Sequence, residues 1–525
     1  MKKIRIKIGL TCLFLVGFLV RLINLSKFDV WFDETCSLHT ALGNFKIFNF
    51  AGFFYNNMIL AILNCVTKHI LFSVRLFSVF CDLVAAYFVY RLGTYIFSRR
   101  VGVIAVTLLL FSGFNIWYAQ EITVYAFSGA LAMISFYYFF KTFYENKMLY
   151  LIIYDIFSLM LIVTLPQANV VWIIELIFFC LLSRNDSMRK YFIFGFIITS
   201  TMYIAFFLQE RIITCFSIVF LKQFWISKIL WKDIALSLPE FLLGYSASAL
   251  MYSICGILIV LTLLSLFRKF TRKVSKEIVF CLLVVFLPIT IFIFISYYKP
   301  VYLVRYFVYI TGIFYIVISV GIAGMKKPAY LLSAFLTLMI VSDVYYFSDY
   351  ASCQNIYHKG VPSKSSNLKE VFKYVDLNAK EGDIVAATSF SLGGGIISFY
   401  SRHNIHFKNF IFKRKIYLGK INDERQSLDI PLFILYCGIQ DNSNYWYDLA
   451  SRVFNKDAPY IYISHEDLLT MPFKRLWLIA SWWDKVGEDY YNSIAIKKYY
   501  DLHFNLKEYK EYKNMKLYLY EKEGL

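Results

Sequence analysis

Apolar runs long enough to cross a hydrocarbon layer recur along the first two thirds of this 525-residue chain. They lie at 8–25, 73–95, 101–117, 122–140, 148–165, 168–183, 191–208, 241–267, 278–296, 304–323 and 329–346. About 20 helical residues span the roughly 30 Å of a bilayer core. Inside that layer no water bonds the backbone, so only helices or a closed barrel satisfy every N–H and C=O. Apolar runs with few charges, the first interrupted only by Arg21, and without period-two alternation select the helix. The sequence therefore predicts an α-helical polytopic membrane protein of about eleven transmembrane helices. The composition agrees: 59% of residues are hydrophobic and 17% charged, too apolar for a surface facing water.

Charge fixes an orientation. The formal net charge is +19, with 30 Lys and Arg against 15 Asp and Glu up to Tyr350, and 24 against 20 beyond it. The basic excess belongs to the membrane part, so it sets topology and offers no nucleic-acid-binding face. With a cytoplasmic N-terminus, the alternate connections 91–100, 141–147, 184–190, 268–276 and Lys326-Lys327 are cytoplasmic too. Together with Lys2, Lys3, Arg5 and Lys7 they hold 19 of the 30 basic residues, as the positive-inside rule demands. No A-x-A-like site follows the first run, which predicts an uncleaved first span. An odd number of spans then places everything after about Tyr350 outside.

Beyond that point the composition becomes mixed. Gly360 to Ser366 reads as a linker, 367–380 as a helix, and 383–389, 475–480 and 516–520 as strands. The expected organisation is a membrane domain at 1–349 and a small extracytoplasmic α/β domain at 350–525. Gly393-Gly394-Gly395 has the wrong spacing for a phosphate loop and reads as a turn. Ten cysteines without a CxxC spacing show neither a zinc site nor a disulfide framework.

Three clusters could carry chemistry, all at outward ends of spans. Trp31-Phe32-Asp33-Glu34 sets two carboxylates just beyond the first run. Read blandly, they start a solvated loop; read as chemistry, one accepts a proton from an attacking hydroxyl while the other orients it or holds a cation, a divalent ion included. Asn115 to Tyr125 forms a short polar turn carrying Glu121 and Tyr125; Glu121 could equally be a charge favoured at a helix start. Ser296 to Tyr306 places Lys299 and Arg305 among tyrosines, Tyr306 included. These cations either snorkel to the interface or cradle a phosphate headgroup. Arg75, at the start of the second run, is a weaker candidate of the same kind.

In that order, a carboxylate pair after the first span, a YAQE…Y turn, an FWI-containing loop (Phe224-Trp225-Ile226) and a KP….RY mouth (Lys299 to Tyr306) resemble a specific superfamily. It is that of the dolichyl-phosphate-mannose protein mannosyltransferases and aminoarabinose transferases, membrane glycosyltransferases of the C type, and the likeness is to the bacterial branch called family 39. It covers the membrane part, about two thirds of the chain, and the C-terminal domain resembles the variable periplasmic domain of such enzymes only loosely. It implies an inverting enzyme of a bacterial cytoplasmic (inner) membrane that moves a hexosyl or pentosyl group from a polyprenyl-phosphate sugar to an envelope acceptor. It implies Asp33 as base with Glu34 beside it, Glu121 in the acceptor or cation region with Tyr125 nearby, and Arg305, aided by Lys299, on the carrier phosphate. Two segments depart from the bacterial pattern: Phe53-Phe54-Tyr55-Asn56-Asn57 stands where a Pro-Pro-Leu-Tyr type is usual, and Thr164-Leu165-Pro166-Gln167 where a Thr-His-Tyr type is common. The competing reading is a transporter or flippase for a lipid-linked glycan, which needs polar groups at mid-depth. Asp82, Asp155 and Glu175 are the groups to weigh: Asp82 is expected to pair along its own helix, Asp155 to lie near a cytoplasmic end, and Glu175 to be central.

Overall fold

A computed structural model describes residues 2–25, 27, 30, 32–41, 52–66, 70–209, 228–270, 275–348, 368–380, 383–387, 410–413, 433–437, 474–481, 497–498, 500–512 and 515–522. The chain divides into two compact units, Met1–Leu25 with Phe48–Val361, and Ser26–Ile47 with Pro362–Leu525.

The first unit is helical: α1 (Lys2–Leu22), then, after α2 of the other unit (Phe32–Ala41), α3 (Phe53–Cys65), α4 (Ile70–Ile96), α5 (Arg99–Leu110), α6 (Gly113–Ala119), α7 (Val124–Glu145), α8 (Met148–Thr164), α9 (Asn169–Leu182), α10 (Asp186–Gln209), α11 (Trp231–Leu243), α12 (Ala249–Phe270), α13 (Lys276–Tyr298), α14 (Val308–Ala323) and α15 (Pro328–Phe347). Among the described residues five helices are long and apolar enough to cross a membrane, or six if the α5–α6 pair, bent by 60°, is one span; Ile8–Leu22, Phe53–Cys65, Met148–Thr164 and Pro166–Leu182 are shorter apolar helices. Large apolar side chains such as Leu181, Phe194, Leu250 and Phe294 are exposed, as befits helices whose solvent is lipid. The chain is thus a multi-pass helical membrane protein.

α14 is buried almost all round, from Val308 to Ser319. It lies at the centre of the unit, packed with α5, α7, α12 and α13. The run at 241–267 differs from expectation: α11 ends at Leu243, Gly244 turns with φ 65°, and α12 begins at Ala249. The cause is a close crossing. A Cβ on Gly244 would lie 2.6 Å from the carbonyl carbon of Gly113, and one on Gly113 would lie 2.5 Å from the Leu243 carbonyl oxygen. Only two glycines allow that backbone contact, and the positive φ needs one as well. The FWI segment of the sequence resemblance lies outside the described residues.

Asp82 does not pair along its helix. Its neighbours three and four residues away are Ser78, Val79, Ala85 and Ala86, none of them cationic. Its partner is instead Arg21 on α1, at 2.6 Å, with the Arg21 side chain fully buried. The guanidinium also donates to the carbonyls of Leu110 at 2.9 Å and Leu109 at 3.3 Å, the last turn of α5. Leu109 also accepts from the Ser112 N–H at 3.2 Å, and a cation at a helix C-terminus meets the negative end of the dipole. Asp82 accepts in turn from the Asn115 amide at 2.9 Å, and Asn115 accepts from the Tyr315 hydroxyl at 2.7 Å. The break between α5 and α6 is therefore filled by side chains. Glu175 on α9 accepts from Tyr154 on α8 at 3.0 Å.

In the second unit, α16 (Leu368–Asn378) accompanies a six-stranded sheet of order β2-β3-β1-β4-β6-β5, with β1 (Ile384–Ala387), β2 (Phe410–Lys413), β3 (Phe433–Cys437), β4 (Arg475–Ser481), β5 (Asn505–Tyr512) and β6 (Met515–Glu521). β1 runs parallel to β4, and the other pairs are antiparallel. Arg475 forks onto both oxygens of buried Asp383, at 2.9 and 2.6 Å, and the Trp477 indole donates to the same carboxylate at 2.9 Å. This small α/β unit carries the expected strands and helix, together with β2, β3 and β5, which the sequence reading did not contain. The Gly393-Gly394-Gly395 turn lies outside the described residues.

Candidate active site

The chain from α6 to α7 is a tight polar turn. Ser112 caps α6, its hydroxyl accepting from the Asn115 N–H at 3.1 Å, and Gln120 ends that helix. Glu121, Ile122 and Thr123 then bridge to α7. Glu121 is fully buried, and its backbone carbonyl accepts from the Ser78 hydroxyl of α4 at 2.7 Å. A carboxylate without water around it is costly, so its surroundings decide its role.

Those surroundings include aromatic hydroxyls and the Arg305 guanidinium. The Tyr118 and Tyr245 hydroxyls lie 2.7 Å apart, and both sit in the electrostatic reach of Glu121 and Arg305. The rings of Tyr118 and Tyr125 meet edge to face at 4.9 Å. Arg305 belongs to a short 3-10 turn, Val304–Phe307, directly before α14, and is 5% exposed. Its guanidinium lies 6.0 Å from the Tyr125 ring centre and 6.0 Å from that of Tyr306, the outer limit of a cation–π contact. The structure thus brings Glu121, Tyr125 and Arg305 into one buried cluster, with half-buried Tyr306 against it. It adds Tyr118 and Tyr245, for which the sequence reading had no role.

The remaining candidates are placed differently. Arg75, 2% exposed on α4, donates to the Leu25 carbonyl at 2.9 Å and lies one turn before Ser78. Lys299 is half-buried at the C-terminal cap of α13, its N–H donating to the Ile295 carbonyl at 2.8 Å. Asp33 and Glu34 occupy the first turn of α2, in the second unit. Two acids there are favoured by the helix dipole. Glu34 is fully buried and Asp33 half-buried, with the Asp33 carbonyl accepting from the Ser37 hydroxyl at 3.0 Å. Among the described residues no three His, Cys, Asp or Glu side chains converge as metal ligands do. No local signal marks Tyr245 among the 42 tyrosines of the chain.

No protein-family model matches the sequence, and no curated protein matches it. Solved structures do. The chain is similar to ArnT from Cupriavidus metallidurans in the apo state, with a TM-score of 0.58 at 9% identity, covering 98% of each chain. Against the same protein bound to undecaprenyl phosphate the TM-score is 0.61 at 9% identity, covering 97% of this chain and 98% of that one. At so low an identity the likeness speaks for architecture, and it runs over almost the whole length of both chains, membrane helices and C-terminal unit together. The fold of this chain is that of ArnT.

Proposed function

We propose that this chain is an inverting glycosyltransferase that takes a hexosyl or pentosyl group from a polyprenyl-phosphate carrier and passes it to an envelope acceptor, a lipid, glycan or protein. The observation that carries the proposal is the buried cluster of Arg305, Tyr118, Tyr125, Tyr245 and Glu121 in a chain whose fold matches a protein solved with undecaprenyl phosphate. A guanidinium held among aromatic rings, shielded from water, offers a phosphate paired N–H donors in a low-dielectric setting.

In this reading Asp33 removes the proton of the acceptor hydroxyl. The acceptor oxygen bonds to the anomeric carbon as the bond from that carbon to the phosphate oxygen breaks, and the electron pair leaves with the carrier phosphate. One displacement inverts the configuration. Arg305, with Lys299, Arg75 and Tyr306 as further members of the phosphate region, meets the charge developing on the leaving group; such preorganised stabilisation is usually the largest contribution to rate. Glu121 and Tyr125 serve the acceptor side. Glu34 orients Asp33, and the two carboxylates offer the hard oxygen donors a divalent cation takes.

The enzyme is placed in a bacterial cytoplasmic membrane, N-terminus inside, residues 350–525 outside. The support is the distribution of basic residues over alternate connections. Alkaline phosphatase fused to the C-terminus should then be active, whereas activity only from a reporter that works in the cytoplasm would reverse the orientation and move the chemistry to the other face.

Arg305 gives the test of the donor site. With sugar-charged polyprenyl phosphate in nanodiscs, Arg305→Ala should lower kcat/KM for the donor by about 100-fold and Arg305→Lys by about tenfold, because lysine keeps the charge and loses the fork. Wild-type kinetics in both variants would leave Arg305 an interface anchor and remove the main support for a lipid-phosphate donor. A transporter remains the rival; net movement of lipid-linked glycan across vesicles, without any transfer product, would favour it.

A further inference from the structure

The amide of Gln120 joins three parts of the first unit that are far apart in sequence. Gln120 is 2% exposed at the end of α6. Its Nε2 donates to the carbonyls of Arg21 at 2.9 Å and Ile23 at 2.7 Å, and its Oε1 accepts from the Tyr346 hydroxyl at 2.7 Å. Both amide protons and one lone pair are therefore used, an arrangement that neither a carboxylate nor an aliphatic side chain can reproduce. The Arg21 and Ile23 carbonyls lie at the C-terminal end of α1, where backbone acceptors lack helical partners. Nearby, Asn24, in the left-handed region at φ 58°, donates to the Phe347 carbonyl at 3.3 Å, and Arg75 holds Leu25.

Each of the three joined ends leads into a segment of the proposed site or of the second unit. The chain leaves α1 at Leu25 and reaches α2, with Asp33 and Glu34, within a few residues. It leaves α15 at Phe347 toward the remainder of the second unit. The third piece, the α6 end, is directly followed by Glu121.

We propose that Gln120 is a positioning residue that ties the exits of α1 and α15 to the Glu121 turn, and so fixes the points from which the segment bearing the carboxylate pair and the C-terminal unit depart. The inference rests on the glycosyl-transfer reading for its catalytic consequence. Its geometric content is independent of that reading. A side chain at this place acts through the groups whose backbone it anchors, so its loss should lower turnover more than donor binding.

The test uses the full chain in nanodiscs. Gln120→Leu should lower kcat about tenfold while KM for the sugar-charged polyprenyl phosphate stays within twofold, and Gln120→Asn, one methylene shorter, should fall between. Tyr346→Phe, which deletes one hydroxyl and keeps the ring, should cost about threefold in kcat and add nothing in the Gln120→Leu background. By hydrogen exchange, Gln120→Leu should speed the amides of 22–25, 121–123 and 345–348 and leave those of α14 unchanged. Wild-type kcat in Gln120→Leu, a loss carried by KM alone, or exchange that rises everywhere would each overturn the proposal. A wild-type chain that transfers no sugar would overturn the proposed function, and the exchange comparison would still decide whether the tether exists.

Discussion

Replacing Asp33 by Asn is expected to reduce glycosyl transfer by about 100-fold or more, because the amide keeps the shape of the carboxylate and cannot take a proton. Glu34→Gln should lose less, since its part is orientation. Neither change should alter membrane insertion: both residues lie outside the apolar runs, and the basic pattern that sets topology is untouched. The measurement is product formed by each purified variant at matched expression, with the lipid donor saturating. Saturation matters, as a base acts in the chemical step and its loss should appear in kcat. An Asp33→Asn protein that turns over like the wild type would sink the assignment, and equal activity in Glu34→Gln would move the base away from this carboxylate pair altogether.

The second large effect is on stability. Asp82→Ala leaves the Arg21 guanidinium, fully buried, without the carboxylate 2.6 Å away. An uncompensated charge in the interior costs about 3–5 kcal/mol, a large part of the stability of an ordinary domain. The loss should reach the site, because Asp82 also holds Asn115, whose partner Tyr315 bonds the Ser112 cap of α6 at 2.8 Å. Thermal unfolding in detergent followed by size-exclusion recovery would measure it. The double variant Arg21→Met/Asp82→Leu should be less damaged than Asp82→Ala alone, since removing both charges removes the desolvation penalty, against which it forfeits the Arg21 bonds to the Gly17, Leu109 and Leu110 carbonyls and the Asp82 acceptor of Asn115. If Asp82→Ala unfolds at the wild-type temperature, the ion pair does not hold α1 in place.

Much of the fold could be read from the residues because lipid imposes a strict rule on the backbone and leaves few alternatives. The predicted runs fall on helix, two of them broken, after Leu110 and after Leu243, and the α16 helix and strands β1, β4 and β6 lie where their apolar spacing put them. β5 was invisible for a physical reason: Asn505 to Tyr512 carries Lys507, Glu508, Lys510 and Glu511 at the edge of the sheet, where only one face is even half-buried. β2 and β3, four and five residues long, are too short for periodicity to speak. The split at Gly244 was hidden as well, since hydropathy averages over a turn that depends on a glycine 131 residues earlier in the chain, Gly113. At the candidate site, Glu121, Tyr125, Arg305 and Tyr306 were legible as charges and rings at one end of neighbouring runs. Tyr118, Tyr245 and Gln120 were not assigned roles, because a tyrosine or amide among so many gives no sign of which hydroxyl or carbonyl it will meet. Asp82 was legible as a charge within an apolar run, and its union with Arg21 escaped because partners 61 residues apart leave no local pattern.

That separation has a consequence for biogenesis. When α1 first enters the bilayer, Arg21 is one residue from its C-terminal end, and the carboxylate that neutralises it has not yet been synthesised. An arginine near a helix end can reach the headgroup layer with its long stem, whereas at mid-helix it would cost about 2.5–3.5 kcal/mol. The first span can thus insert alone, as an anchor with its guanidinium turned to the interface. Only after α4 delivers Asp82, and α5 its last carbonyls, does the guanidinium have a reason to swing inward. The buried ion pair is then a record of assembly order: a charge that was cheap at the membrane surface becomes the latch that closes α1 onto the helices made after it.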